Sequence, residues 1–180
     1  MADTTSKRVL ILGGGFAGLE AAETLEKIFA EKDDVEITLV SKDNYLVFTS
    51  MLAEVVSSSI EAKHVVIPLR ECLKKASYKE LEVLSIDLKK KVVGCFHCHT
   101  RETFDLEYDY LILAMGSITG YHNVTGAEEY SFPLKNLADA MVLRSHIIDM
   151  FERADLEQDP DLRKRLLTFA VVGGGYTGIE

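Results

Sequence analysis

Apolar positions along the chain come in two rhythms, short unbroken runs and helical stripes, and the two alternate from the first residues onward. Arg8-Val9-Leu10-Ile11-Leu12 is an apolar run that stops at three glycines. A strand with no polar alternation is one buried on both faces, as in a parallel sheet. Phe16 to Ala30 reads as a helix, with Leu19, Ala22, Leu25, Ile28 and Phe29 on one stripe and Glu23, Glu26 and Lys27 largely off it. Asp33-Asp34 is a turn, and Val35 to Val40 is a second strand. Strand, glycine turn, helix and strand in that order make one right-handed βαβ unit.

The pattern then becomes mixed. Val47-Phe48 and Met51 to Val56 suggest a short helix, Ser57-Ser58-Ser59 a loop, and Pro68 opens a helix through Arg70, Cys72, Leu73 and Lys75. Leu81 to Asp87, Lys91 to Phe96 and a stretch around Arg101 to Leu106 read as strands of a small antiparallel meander. Lys89-Lys90-Lys91 is the solvated turn between the first two. Tyr108 to Ala114 is the next core strand and ends at Met115-Gly116. Leu137 to Leu156 is a long helix that Asp159-Pro160-Asp161 breaks, and Leu166 to Val172 is a final strand. The fold class is therefore α/β, Rossmann-like, with a parallel sheet and a small antiparallel β insertion. The expected division is a dinucleotide-binding domain at 1–125, a linker and long helix at 126–165, and the start of a second nucleotide-binding domain at 166–180. A strand followed only by the opening of a glycine turn is read as a truncation at Glu180.

Composition changes this picture little. Of 180 residues, 47% are hydrophobic and 27% charged, with a formal net charge of -9. That field repels nucleic acid and anionic lipid overall. Three cysteines, an odd number, point to a reducing compartment and not to a disulfide scaffold. No apolar stretch approaches the ~18 residues of a membrane-spanning helix, and no secretory signal pattern opens the chain. The expectation is a soluble piece in the cytosol or on an equivalent reducing face.

The chemistry sits in the glycines. Gly13-x-Gly15-x-x-Gly18 follows a strand and opens a helix, which is the context the dinucleotide signature requires. Gly13 permits the turn, Gly15 lets a pyrophosphate approach the backbone, and Gly18 lets helix and strand pack closely. The acidic ribose-binding residue expected about 20 positions further on is absent. Ser41 and Lys42 stand at the end of the second strand instead, with Asp43 beyond them. Ser41 can hydrogen-bond ribose hydroxyls more weakly, and Lys42 tolerates extra phosphate. This argues against NAD at the first site and leaves FAD open. Glu20 is either a solvated helix residue or a support for the turn. Gly173-x-Gly175-x-x-Gly178 repeats the signature, and two such sites in one chain imply electron passage from nicotinamide to flavin. Glu180 is either a solvated helix residue or a carboxylate near the flavin that handles protons for a quinone or holds the nicotinamide ring.

At GGGFAGLE (13–20), VSKDNYLVFTSMLAEVVSSSIE (40–61), YDYLILAMGS (108–117) and VVGGGYTGIE (171–180) the chain resembles the two-dinucleotide-binding-domain flavoproteins of the pyridine nucleotide–disulfide oxidoreductase superfamily. Within it the resemblance is to type II, non-proton-pumping NADH:quinone dehydrogenases. The resemblance implies that Gly13, Gly15, Phe16, Ala17 and Gly18 bind the FAD pyrophosphate and that Ser41 and Lys42 lie at its adenosine end. Asn44, Thr49, Met51 and Leu52 would pass beside the isoalloxazine, and Val83 near the adenine. Ala114-Met115-Gly116 matches the family's Ala-Thr-Gly, with Met115 in place of threonine and Gly116 retained. Ser50 stands where the family usually has proline. Gly173, Gly175 and Gly178 would open the NAD(H) site, and Glu180 matches a carboxylate associated with proton handling between flavin and quinone.

The resemblance implies a non-electrogenic enzyme carrying electrons from NADH through FAD to a quinone. The full-length protein would be peripheral to a membrane on its cytoplasmic or matrix face, with a homodimer among its open oligomeric states and the fragment inactive alone. No cysteine occurs between residues 41 and 71, which argues against the redox pair of the disulfide reductases. A sulfide:quinone reductase or another flavin-dependent NAD(P)H oxidoreductase remains an alternative, as does a non-catalytic nucleotide-binding module. Cys95-x-x-Cys98 with His97 and His99 resembles half a zinc knuckle but lacks a second ligand pair, so no metal is expected. His64, His122 and His146 have no partner pattern for catalysis, and Asp109 reads as a turn residue.

Overall fold

In the computed structural model, residues 6–179 are described. The first elements are β1 (Lys7–Leu12), α1 (Phe16–Ile28), β2 (Val35–Ser41), β3 (Tyr45–Val47) and α2 (Leu52–Val56). Next come β4 (Val66–Pro68), α3 (Leu69–Cys72), β5 (Ser77–Glu80), β6 (Glu82–Asp87), β7 (Val92–Phe96), β8 (Thr103–Glu107) and β9 (Tyr110–Leu113). The remainder is helical, with α4 (Ala127–Tyr130), α5 (Leu137–Leu156), α6 (Pro160–Leu166) and α7 (Tyr176–Ile179). The chain forms two compact units, each discontinuous in sequence. One runs up to Leu46 and resumes at Ile67–Ser117, and the other joins Val47–Val66 to the residues from Ile118 onward.

The first unit is built on a parallel sheet of order β5-β2-β1-β9. The unbroken apolar runs are explained by its two covered faces. Ile11, Ile37 and Leu39 pack with Leu19 and Ala22 of α1, whereas Leu10, Leu12 and Val40 pack with Val93, Cys95 and Tyr108 on the meander side. The β6-β7-β8 meander is antiparallel throughout, with an irregularity between Val83 and Ser85. Each fully buried Leu or Ile in these layers contributes about 1.5–3 kcal/mol. Arg8 fastens β1 to the strand beyond it. Its amide donates to the Asp109 carboxylate at 2.8 Å and its guanidinium to Glu107 at 2.6 Å.

The second unit has its own core of Leu52, Val55, Val65 and Ala140, flanked by Leu134 and Leu137. Helix α5 starts in a capping box in which Asn136 accepts the Asp139 amide and Asp139 accepts the Asn136 amide. Asp159 accepts the Asp161 amide and, with Pro160 at the first helical position, starts α6.

Several sequence expectations need correction. Glu26 does not lie off the buried stripe of α1. It is only 7% exposed, because its Oε1 accepts the amides of Lys74, Lys75 and Ala76 at 2.6–2.8 Å. Ile28, assigned to that stripe, is 63% exposed. The helix after Pro68 ends at Cys72, since the chain turns extended at Leu73 to reach the Glu26 carboxylate and enter β5, a strand the pattern did not reveal. Residues 166–172 form no strand. Leu166 closes α6, and among the described residues no neighbour pairs with the segment, so its apolar character alone cannot make a ladder.

Candidate functional site

The carboxyl edge of the parallel sheet is where the sequence signals converge. Here β1 lies between β2 and β9, so the chain departs to opposite sides of β1, the switch point at which open α/β sheets bind ligands. The Gly13 amide donates to the Val40 carbonyl at 2.8 Å and the Ala114 amide to the Leu12 carbonyl at 2.8 Å, which ties the glycine turn to both neighbours of β1. Gly13 has φ +111°, and a Cβ there would strike the Ala114 carbonyl. At Gly18 a Cβ would strike the Gly13 carbonyl, so helix and turn touch backbone to backbone.

Gly14 was not singled out by the signature, yet it too is fixed by packing, since a Cβ would meet Leu69 and Ser41. Gly15 differs from all three. Its φ of -78° suits any residue, and a Cβ there meets nothing within 4 Å. It is also the N-cap of α1, with no side chain capping the helix. Phe16 and Ala17 are exposed in the first turn. Backbone N–H groups and the positive end of a 13-residue helix are thus offered at a position where the chain leaves room.

The end of β2 forms the second wall. Ser41 is half-buried and its Oγ accepts the Asp43 amide at 3.3 Å, while Lys42 and Asn44 are exposed. Tyr78 of the unforeseen β5 lies beneath this turn, with its hydroxyl donating to the carbonyls of Ser41 at 3.2 Å and Asp43 at 3.1 Å. Burial, reinforced by Glu80 and opposed by Arg70, pushes the Tyr78 hydroxyl up to about 12. The Arg70 guanidinium lies over its ring at 4.7 Å. Tyr78 and Glu26 are the residues that sequence reasoning missed. One aromatic among Ser77, Lys79 and Glu80 makes a weak strand signal, and a lone carboxylate on a helix looks solvated.

Ala114 is half-buried, Met115 is 59% exposed, and Gly116 turns at φ +71°. Val83 is half-buried on β6 opposite Cys95. In the second unit Thr49 and Met51 are exposed, and Leu52 is buried in that unit's core at 2% exposure. Gly173, with φ +120°, Gly175 and Gly178 form a second turn into α7. Glu180 lies outside the described residues.

The remaining candidates do not gather into a site. Cys95 is wholly buried between sheet and meander, Cys98 is exposed, and the Cys72 thiol donates to the Pro68 carbonyl. Burial raises the thiols of Cys72 and Cys95. His97 Nδ1 accepts the Thr100 amide at 3.1 Å and shapes the β7-β8 turn, and His99 pairs with Glu80 at 3.2 Å. Asp109 closes the β1-β9 edge, and its carboxyl is held below the usual range chiefly by the Arg8 amide. Among the described residues no group of three or more His, Cys, Asp or Glu is placed to hold a metal, and no helix is long and apolar enough to cross a membrane.

Comparison with known proteins gives the same frame. The chain is 36% identical over 97% of its length to the external alternative NAD(P)H-ubiquinone oxidoreductase B4 of Arabidopsis thaliana, and covers 30% of that protein. It is 36% identical over 96% of its length to the type II NADH:quinone oxidoreductase Ndh of Mycobacterium tuberculosis, covering 36% of it. A structure of NDH2 from Plasmodium falciparum in complex with NADH superposes with a TM-score of 0.78 at 25% identity, over 89% of this chain and 32% of that one. The chain therefore spans about a third of the length of these relatives. The family model for pyridine nucleotide-disulphide oxidoreductases matches residues 7–180. A match that takes in both compact units settles the family: the chain belongs to the pyridine nucleotide-disulphide oxidoreductases and is like, within them, the type II NADH:quinone oxidoreductases.

Proposed function

We propose that the chain carries the FAD-holding part of an enzyme that moves electrons from NAD(P)H through FAD to a quinone. One observation carries the flavin reading. Three of the glycines in the first turn are explained by the fold, and Gly15 is not, because a side chain there meets nothing. A glycine kept where the chain leaves open space, at an uncapped helix start, suits a diphosphate lying against backbone N–H groups. The amides of the Gly15–Gly18 turn would hold the pyrophosphate, Ser41 and Lys42 the adenosine end, Val83 the adenine, and Ala114 to Gly116 the opposite wall. When bound, FAD supplies the electron-accepting chemistry, and these residues bind and orient it. Gly173, Gly175 and Gly178 would open the NAD(H) site in the second unit. The quinone acceptor and a peripheral membrane location rest on the likeness to the quinone oxidoreductases. Of the cysteines in this stretch, Cys95 is sealed in the core, the Cys72 thiol donates to the Pro68 carbonyl and Cys98 is exposed in the β7-β8 turn.

The test is the absorbance spectrum of the purified protein before and after excess FAD and desalting, for wild type and Gly15→Val. Wild type is expected to retain flavin bands. Gly15→Val is expected to fold, with stability lowered by no more than the ~1 kcal/mol that a poor N-cap costs, and to bind FAD at least about tenfold more weakly, a loss of at least ~1.4 kcal/mol. Equal flavin retention by both proteins would place the cofactor elsewhere. No retention by folded wild type would favour a nucleotide-binding module without flavin.

A further inference from the structure

The first turn lacks the acidic side chain that ordinarily fixes the ribose of a bound dinucleotide, and the structure shows what stands in that part of the fold. At the end of β2 the chain makes a tight turn through Ser41, Lys42 and Asp43, in which Ser41 Oγ accepts the Asp43 amide and keeps its own proton to donate. The turn is gripped from below. The Ser41 carbonyl accepts the Leu81 amide at 3.1 Å and the Tyr78 hydroxyl at 3.2 Å, and the same hydroxyl reaches the Asp43 carbonyl at 3.1 Å. Tyr78 is 8% exposed, and Arg70 covers its ring. Directly upstream, the Glu26 carboxylate on α1 gathers the amides of residues 74–76, so the strand that carries Tyr78 is anchored to the helix that the glycine turn starts. A Cβ at Gly14 would strike Ser41, so the backbone of the glycine turn lies close against it. Neutral tyrosine is favoured here, so the hydroxyl remains a donor throughout the working pH range.

We propose that Tyr78 is the positioning residue for the ribose end of the nucleotide: its hydroxyl holds the Ser41–Asp43 turn so that Ser41 Oγ is presented to the ribose hydroxyls. The inference rests on the flavin reading of the first turn. Tyr78 acts through Ser41 and touches no ligand itself. The arrangement replaces a single charged acceptor with a neutral hydroxyl on a braced turn. A neutral hydroxyl gives weaker discrimination than a carboxylate, and it gives any discrimination only while the turn stays in place.

The experiment uses Tyr78→Phe, which keeps the ring and its packing, beside Ser41→Ala and the double variant. FAD affinity is measured by fluorescence titration. ADP and 2′,3′-dideoxy-ADP are then compared as displacers of FAD, because only their difference reads the ribose hydroxyls. Wild type is expected to prefer ADP by roughly 3- to 10-fold, the scale of one hydrogen bond. Tyr78→Phe is expected to lose most of that preference with a ligand-free melting curve close to wild type, and to add nothing in the Ser41→Ala background. A merely structural role would weaken both displacers together and leave their ratio unchanged, which would overturn the proposal. So would independent effects of the two substitutions, or a wild type that binds FAD without preferring ADP. Folded wild type that binds neither FAD nor ADP would overturn the flavin reading, and this inference with it.

Discussion

The chain makes one glycine turn twice, in unlike surroundings. Gly13 and Gly173 have nearly the same backbone, φ +111° and +120°, and in both turns the last glycine lies so close to the first carbonyl that no Cβ fits. Around the first turn the sheet closes in: Gly13 faces the Ala114 carbonyl and Gly14 faces Ser41 and Leu69. Around the second, Gly173, Gly174 and Gly175 meet nothing, and Val171, Val172 and Tyr176 are exposed. The local sequence dictates the conformation of the turn, and the surrounding sheet gives it a load to bear. What distinguishes the regions is therefore energetic more than geometric.

The largest expected difference follows directly. Gly18→Ala drives a methyl into the Gly13 carbonyl within the buried helix-strand contact, and is expected to cost about 3 kcal/mol or more in urea denaturation. Gly178→Ala makes the same collision within α7, against which this stretch of chain packs no core, and is expected to change the stability of this stretch by less than ~0.5 kcal/mol. Equal losses would show the second turn to be as firmly built in as the first. Next in size is the support under the first turn. Glu26→Ala leaves three backbone amides without their acceptor and is expected to lose about 2–3 kcal/mol, while Glu26→Gln keeps an acceptor oxygen and loses less. If the two variants melt together, the amides are served by something other than the carboxylate.

The smallest effect is a pH dependence. Burial pushes the pKa of the Tyr78 hydroxyl up to about 12 in the fold, above the ordinary tyrosine value. Its contribution is fully present below the unfolded value and is lost as pH rises through the folded one. Stability measured by denaturant should therefore decline between about pH 10 and 12, and less so in Tyr78→Phe. A decline of the same steepness in both proteins would assign it to other groups.

Which elements could be read from sequence depended on whether one residue's neighbours announced its role. The β1 run, α1, β2, the meander and α5 declare themselves through unbroken or periodic apolar positions, and the glycine signature declares the turn. By contrast, β5 carries a single buried residue among polar ones, so its partnership with β2 exists only in three dimensions. Glu26 is buried because three amides distant in sequence converge on it, and no helical pattern encodes that. The segment 166–172 fails in the opposite sense, with apolar residues in strand-like order and no ladder to join. The candidate site followed the same rule. The glycine turn is a local motif that the sequence displays, whereas the link from Tyr78 to the Ser41–Asp43 turn is made between two strands and leaves no local pattern.

The strand order also sets a schedule. The first turn and its Ala114 neighbour come from stretches of chain far apart, with 101 positions between Gly13 and Ala114. Protein synthesis adds roughly 5–20 residues per second, so on the order of ten seconds separate the making of Gly13 from that of Ala114. During that interval the nascent glycine turn lacks the neighbour that confines it, and β1 exposes an edge that β9 later covers. Until β9 is made, the first turn lacks its Ala114 neighbour and the edge of β1 stands open to pairing with another strand.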